Sequence, residues 1–237
     1  MATFLVAHGA WSAGWSWKKM HPLMQAAGHR LITPTYTGLG ERGHLANPSI
    51  DLDTHIQDLL EVIRFEGLDN FVLIGHSYGG MVATGVADRA SERITQLIYL
   101  DAFVPEDGQS LFDLVSAANR EEMLERARNT GDGWRIAPNP MPPDTPEPDR
   151  EWAAPLRLPQ PVSTVQQPIR LRHKSPPVPR TYIYCTRSDI FKRFADQARH
   201  DSSWRYFELD ASHNPHITAP EALAALLDEI VSTDAGE

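Results

Sequence analysis

Residues 71–81, Phe-Val-Leu-Ile-Gly-His-Ser-Tyr-Gly-Gly-Met, decide the reading of this chain. The run Phe71 to Ile74 is apolar without alternation, as in a strand covered on both faces. After the turn, Gly80, Ala83 and Ala87 supply the small side chains that let a helix pack closely. Between strand and helix stands Gly75-His76-Ser77-Tyr78-Gly79, a G-x-S-x-G. On a sharp strand-to-helix turn this pattern exposes the serine hydroxyl, and the helix N-terminus favours developing negative charge. Ser77 is therefore the candidate nucleophile; the competing reading is a glycine-bounded turn carrying an ordinary serine.

Outward from this turn, short runs rich in β-branched and aromatic residues mark further strands at Thr3 to Ala7, Arg30 to Thr33, Ile94 to Leu100, Thr181 to Cys185 and Trp204 to Leu209. Helical patterns lie between them. Ile56, Leu59, Leu60 and Ile63 follow 3.6-residue spacing behind a capping box expected at Thr54 and Gln57, with Gly67 as the stop. Near the end, Thr218 and Glu221 form a second expected box, Pro220 sits in the first turn, and Leu223, Leu226, Leu227 and Ile230 form the apolar stripe. Strands alternating with helices predict a mostly parallel α/β sheet with right-handed crossovers. Ligands of such a sheet sit beyond the carboxyl ends of its strands.

One region breaks the alternation. Thirteen of the 19 prolines lie between Pro138 and Pro179, and proline neither donates to a ladder nor continues a helix, so no sheet element is expected there. With the charged, helix-prone stretch Ser110 to Asn129 before it, the region from about 106 to 178 reads as a cap inserted between two strands of a single domain spanning 1–237. Trp134, Trp152, Leu156 and Leu158 argue against a disordered linker, because such side chains pack rather than stay in water.

Composition narrows the function classes. Apolar residues make up 41% of the 237, which suffices for a large core, and 22 Lys and Arg against 31 Asp and Glu leave a net charge of -9. That sign repels a phosphate backbone, so a nucleic-acid partner is not expected. No apolar run approaches the ~20 residues of a membrane span, and the start MATFLVAHGA shows no basic segment ahead of its apolar run, so neither membrane nor secretory targeting is expected. Cys185 stands alone, which rules out an intrachain disulfide or a cysteine zinc site and fits a reducing cytoplasm.

A serine hydroxyl needs a base with a pKa near the working pH. Ala211-Ser212-His213-Asn214-Pro215-His216 follows the last strand, and His213 is the candidate base, with His216 as its competitor. An H-x-x-H lacking a third ligand is a weak metal signal, and no metal is expected. Backbone amides that stabilise an oxyanion would come from Tyr78, next after the nucleophile, and from the loop His8-Gly9-Ala10-Trp11, most simply Ala10. The carboxylate that orients the imidazole has two candidates. Asp101 ends an apolar strand before Ala102, Phe103 and Val104, where an unpaired charge is costly; Asp189 lies in the polar stretch Thr186-Arg187-Ser188-Asp189. Asp101 is favoured and Asp189 is the alternative acid. Trp11, Phe103, Trp134, Trp152 and Tyr78 are candidates for an apolar substrate pocket, while Trp15 and Trp17 read as packing on the first helix.

Residues 8–17, HGAWSAGWSW, the elbow GHSYGGM, the segment YLDAFVPEDG at 99–108 and the late histidine together resemble the α/β-hydrolase superfamily. More narrowly they resemble its plant-type methylesterase and hydroxynitrile lyase branch with small bacterial esterases. The likeness spans nearly the whole chain and is weakest in the cap. It implies the α/β-hydrolase fold, a mostly parallel sheet of six strands flanked by helices, no cofactor, Ser77 and His213 as nucleophile and base, and oxyanion amides at Ala10 and Tyr78. Family members commonly carry the acid after the strand that here ends at Cys185, yet Asp189 is one residue off that spacing; other members of the superfamily carry it where Asp101 stands.

The resemblance also separates ester hydrolysis from carbon-carbon cleavage. Hydroxynitrile lyases of this branch have a lysine just after the catalytic histidine and a threonine in the first oxyanion loop, where this chain has Asn214 and Gly9. The expected activity is hydrolysis of small apolar or aromatic esters through an acyl-serine. A hydroxynitrile lyase and a non-catalytic small-molecule sensor on the same fold are the alternatives. A homodimer is possible on this reading.

Overall fold

The computed structural model describes residues 1–234. Its strands are β1 (Thr3–Ala7), β2 (Arg30–Ile32), β3 (Phe71–His76), β4 (Ile94–Leu100), β5 (Arg135–Ile136), β6 (Gln160–Pro161), β7 (Arg180–Cys185) and β8 (Trp204–Leu209). Six of them form one sheet in the order β2-β1-β3-β4-β7-β8, every pair parallel. The chain leaves β1 for β2 on one side and returns to β3 on the other. Loops after β1 and β3 therefore diverge at a topological switch point, the place where an open parallel sheet leaves a crevice.

Two apolar layers sandwich this sheet, and the strand sequences show why. In β1, Leu5 and Ala7 join one core cluster and Phe4 and Val6 the other; in β4, Leu97 and Tyr99 are divided in the same way from Ile98 and Leu100. A strand apolar on both faces has no solvent side, so continuous hydrophobicity replaces alternation. On the first face lie α2 (Leu52–Phe65), α3 (Gly79–Arg89) and the helix Lys192–His200; on the second lie α1 (Met20–Ala26) and the C-terminal helix Pro220–Asp234. No helix of the described residues is long and apolar enough to cross a membrane.

Helix ends depart from the sequence expectation at defined points. α2 begins a turn before the expected box, because Asp51 is its N-cap: the Asp51 carboxylate accepts the Thr54 amide at 2.9 Å, and Thr54 is the partner three residues on. Gln57 instead donates to Glu61. Gly67 does supply the stop, at φ +59°, with Leu68 N–H donating to Ile63 and Gly67 N–H to Arg64 in a Schellman arrangement. Thr218 does not cap the last helix. Its hydroxyl donates to the Asn214 carbonyl within the preceding turn Pro215–Thr218, and the helix starts at Pro220. The expected stripe holds, with Leu223, Leu227 and Ile230 buried.

Between β4 and β7 the chain forms the helices Leu111–Leu114, Ala117–Thr130, Glu147–Ala153 and Val162–Gln166. The proline-rich part was expected to contain no sheet, yet β5 and β6 pair antiparallel there, Arg135 opposite Pro161 and Ile136 opposite Gln160. Two residues per strand suffice because Pro161 sits at the end of an edge, where its missing N–H breaks no ladder. Of the apolar side chains expected to pack, Trp152 meets Trp15 edge-on at 5.4 Å and Leu158 lies against the core, whereas Leu156 is exposed.

The turn after β3 tolerates no side chain at Gly79. A Cβ there would stand 1.9 Å from the Ala7 carbonyl oxygen, since the start of α3 presses against the end of β1. Gly79→Ala must separate the two loops of the crevice. It is expected to cost roughly 3 kcal/mol or more and to lower Tm by about 10 °C, read by calorimetry against wild type.

Candidate active site

Ser77, Asp101, His213 and the loop of Ala10 all follow the carboxyl ends of parallel strands. Ser77 has φ +56°, a left-handed backbone that a non-glycine residue holds only under constraint. The constraint is visible: Ser77 N–H donates to the Leu100 carbonyl, and the Ser77 carbonyl accepts from Gly80 at 3.0 Å and Phe103 at 3.2 Å. The turn thus holds the hydroxyl outward, half-buried, at the head of α3.

His213 Nε2 lies 2.9 Å from Ser77 Oγ, and His213 Nδ1 lies 2.7 Å from Asp101 Oδ2. The carboxylate only accepts, so Nδ1 carries the proton and Nε2 is left to accept from the serine hydroxyl. Asp101 is fully buried; its other oxygen accepts the Cys185 N–H at 3.3 Å. Burial and the neighbouring Asp101 charge push the Cys185 thiol well up, so it stays protonated. Tyr182 braces the next residue, its hydroxyl donating to the Ala102 carbonyl and accepting the Ala102 N–H.

The alternative acid is elsewhere. Asp189 is exposed and its contact is the Tyr184 hydroxyl at 3.4 Å, while Arg187 forms a two-pronged pair with Asp210 rather than attending Asp189. His216 is also outside the constellation: it is buried, stacked on Trp17 at 4.6 Å, and burial holds its pKa down to about 3. No group of three His, Cys, Asp or Glu among the described residues is arranged to hold a metal ion.

Buried histidines shape the loops around Ser77. His8 Nε2 accepts the Tyr36 N–H, so its Nδ1 donates to the Gly9 carbonyl at 2.9 Å in the loop of Ala10. His55 Nε2 donates to the Thr37 carbonyl and its Nδ1 accepts from the Tyr78 hydroxyl at 2.9 Å. His76 Nε2 donates to the His213 carbonyl at 2.7 Å, tying the serine turn to the loop that carries His213. Burial lowers all three pKa values, His8 to about 4, His55 to about 3 and His76 well below its ordinary value. Among the described residues the amides of Ala10 and Tyr78 have no acceptor.

The aromatic candidates divide. Phe191 stacks on the His213 ring at 5.0 Å, and Phe103 packs behind it on Phe191 at 4.8 Å. Trp11, at φ +59°, donates its amide to Gln160 and its indole N–H to the Ile136 carbonyl. Trp134 carries Arg135 over its ring. The Tyr78 ring is not a pocket wall: it is buried against Tyr36 and His55. Phe191, His55, His76 and Gln160 escaped sequence reading because each looks like an ordinary core or loop residue. A cavity of about 970 Å³ lies along the outer face of α2, lined by Asp51, Asp58, Glu61 and Arg89, and includes none of these site residues.

Comparison with known proteins identifies the family. The sequence matches the alpha/beta hydrolase family over residues 4–226. It is 37% identical to a carbendazim hydrolyzing esterase of Nocardioides sp. (strain SG-4G), over 96% of this chain and 98% of that one. Salicylic acid-binding protein 2 of Nicotiana tabacum is 31% identical over 44% of this chain and 40% of its own length. Among solved structures, an extracellular alpha/beta-hydrolase from a Paenibacillus species superposes with a TM-score of 0.84 at 25% identity, covering 97% of this chain and 98% of that one. With the parallel sheet, the strained serine turn and a match running through nearly the whole sequence, the chain belongs to the alpha/beta hydrolase family.

Proposed function

We propose that this protein is a serine-dependent carboxylic ester hydrolase acting on small apolar or aromatic esters. The observation that carries the reading is the chain of two short contacts, Ser77 Oγ to His213 Nε2 at 2.9 Å and His213 Nδ1 to Asp101 Oδ2 at 2.7 Å. In this mechanism Ser77 Oγ attacks the ester carbonyl carbon as its proton passes to His213 Nε2. The oxyanion is held by the amides of Ala10 and Tyr78. Collapse breaks the carbon-oxygen bond, His213 returns the proton to the leaving alcohol, and water then repeats the sequence on the acyl-serine. Asp101 keeps the imidazole in the required tautomer and balances the imidazolium.

Relatives named esterase and methylesterase support hydrolysis. Phe191 stacked on His213, with Phe103 packed against it, favours an apolar or aromatic group next to the ester. The segment between β4 and β7 serves as the cap, since Gln160 and Ile136 hold Trp11 next to the oxyanion loop. A lyase reading is disfavoured at two positions. Asn214 offers no cation beside His213, and a Cβ at Gly9 would meet His76 Nδ1 at 3.0 Å and Ser77 Cβ at 3.1 Å, so a threonine there would crowd the nucleophile.

A fluorophosphonate tests the nucleophile. One adduct is expected, mapped by mass spectrometry to the peptide containing Ser77 and absent from Ser77→Ala. Labelling at another serine would sink the assignment.

A further inference from the structure

Two guanidinium groups converge on Trp11, the residue after Ala10. Arg126, on the helix Ala117–Thr130, lies 5.7 Å from the centre of the indole, and Arg157 lies 5.8 Å from it. Their backbone anchors are two residues apart in the chain: Arg126 donates to the Ala137 carbonyl at 3.0 Å and Arg157 to the Asn139 carbonyl. The indole cannot swing away, because its N–H is held by Ile136 and its amide by Gln160.

Two cations at one indole repel unless an anion sits nearby, and the Arg126 charge does act on Arg157. Here the carboxylate supply is meagre. Arg126 Nε is 4.0 Å from Glu122, an exposed side chain one helical turn away, and is buried without a hydrogen-bond partner. Arg157 makes no ion pair among the described residues. Burial and the Arg126 charge press the Arg157 pKa down to about 10, which still leaves it charged at neutral pH. Each guanidinium has five N–H donors, and one on each is used by the protein. An arginine fork matches a carboxylate better than any other side chain does.

We propose that Arg126 and Arg157 form a carboxylate-binding subsite beside the oxyanion loop, which selects aromatic esters that carry a second, ionised carboxylate group. This rests on the ester-hydrolase reading and narrows it. The aromatic body of the substrate would lie toward Phe103 and Phe191, with the anionic end at the guanidinium pair.

The test compares matched esters that differ only in that charge: monomethyl against dimethyl terephthalate on the acyl side, and 4-acetoxybenzoate against its methyl ester on the alcohol side. In wild type one of the anionic esters is expected to have kcat/KM about 10- to 100-fold above its neutral partner, through KM, as charge-assisted hydrogen bonds imply. The ratio within one enzyme preparation is the readout, so partial misfolding of a variant cancels. Arg126→Gln and Arg157→Gln should each bring the ratio toward one, and Arg157→Lys should retain part of it. The subsite is refuted if neutral esters are equal or better in wild type, or if the preference survives both glutamine substitutions. Calorimetric titration of Ser77→Ala with terephthalate reads the subsite without turnover. Saturable binding lost in the double glutamine variant supports it even should no ester be hydrolysed, and absence of binding overturns it.

Discussion

Asp101→Asn is expected to lower kcat by about 10⁴-fold, the loss seen when a triad carboxylate becomes an amide in a well-studied serine protease. The shape is conserved, so the fold and substrate affinity should change little. What changes is the proton. The asparagine nitrogen cannot accept from His213 Nδ1; where it faces the ring it favours the tautomer protonated at Nε2, which has no lone pair for the Ser77 hydroxyl 2.9 Å away. Cys185 N–H, which donates to the other Asp101 oxygen at 3.3 Å, can still find the amide oxygen, so the strand ends stay in register. Asp189→Asn, at an exposed carboxylate, should alter kcat by less than about threefold. Steady-state kinetics on 4-nitrophenyl acetate, with circular dichroism as the folding control, distinguishes the two. A severe loss at Asp189 with a mild one at Asp101 would overturn the assignment.

Acidification is expected to unfold the protein cooperatively between about pH 6 and pH 4. Four buried histidines are held neutral in the fold: His8 with a pKa of about 4, His55 and His216 at about 3, and His76 well below its ordinary value, burial being the largest cause in each. In the unfolded chain they titrate near ~6.5. Between those values the unfolded state binds protons that the native state refuses, so stability is full above ~6.5 and falls as pH drops toward the native values. Each histidine contributes up to ~1.4 kcal/mol per pH unit in that window, and four acting together rival an ordinary domain's total of ~5–15 kcal/mol within one or two units. A midpoint near pH 5 is expected in ellipticity at 222 nm. His216→Phe should move it lower, since its Nδ1 has no hydrogen-bond partner and a phenyl ring can stack on Trp17 in its place. Persistence of the native spectrum at pH 4 would contradict the account.

The serine turn and the candidate histidine were legible in one dimension because each is a local pattern. Gly75-x-Ser77-x-Gly79 between strand and helix needs no distant partner to be recognised, and His213 follows directly after the last strand of the sheet. The strands were legible for a related reason: a strand buried on both faces is apolar throughout, and β1, β3 and β4 read so whatever lies above or below them. Ends were harder. The start of α2 depended on whether Asp51 or Thr54 would turn its side chain back on the backbone, and both have the chemistry to do it.

Choosing between the two candidate acids needed the tertiary structure. Asp101 and Asp189 both follow strands, and only the packing of β4 beside β7 shows that one carboxylate reaches His213 across 112 residues of sequence while the other faces solvent. The same holds for the tethers. His76 reaches a carbonyl 137 residues away, and Arg126 and Arg157 meet at one indole although 31 positions separate them. The sequence alone determined the layers of the fold and the strand-to-helix turn that carries Ser77, because strand hydrophobicity and turn composition are properties of neighbouring residues. Which carboxylate reaches His213, which ring stacks on it and which cations meet at the Trp11 indole was decided by long-range packing, because a hydrogen bond or ion pair depends on distances of a few ångströms that the spacing along a chain does not encode.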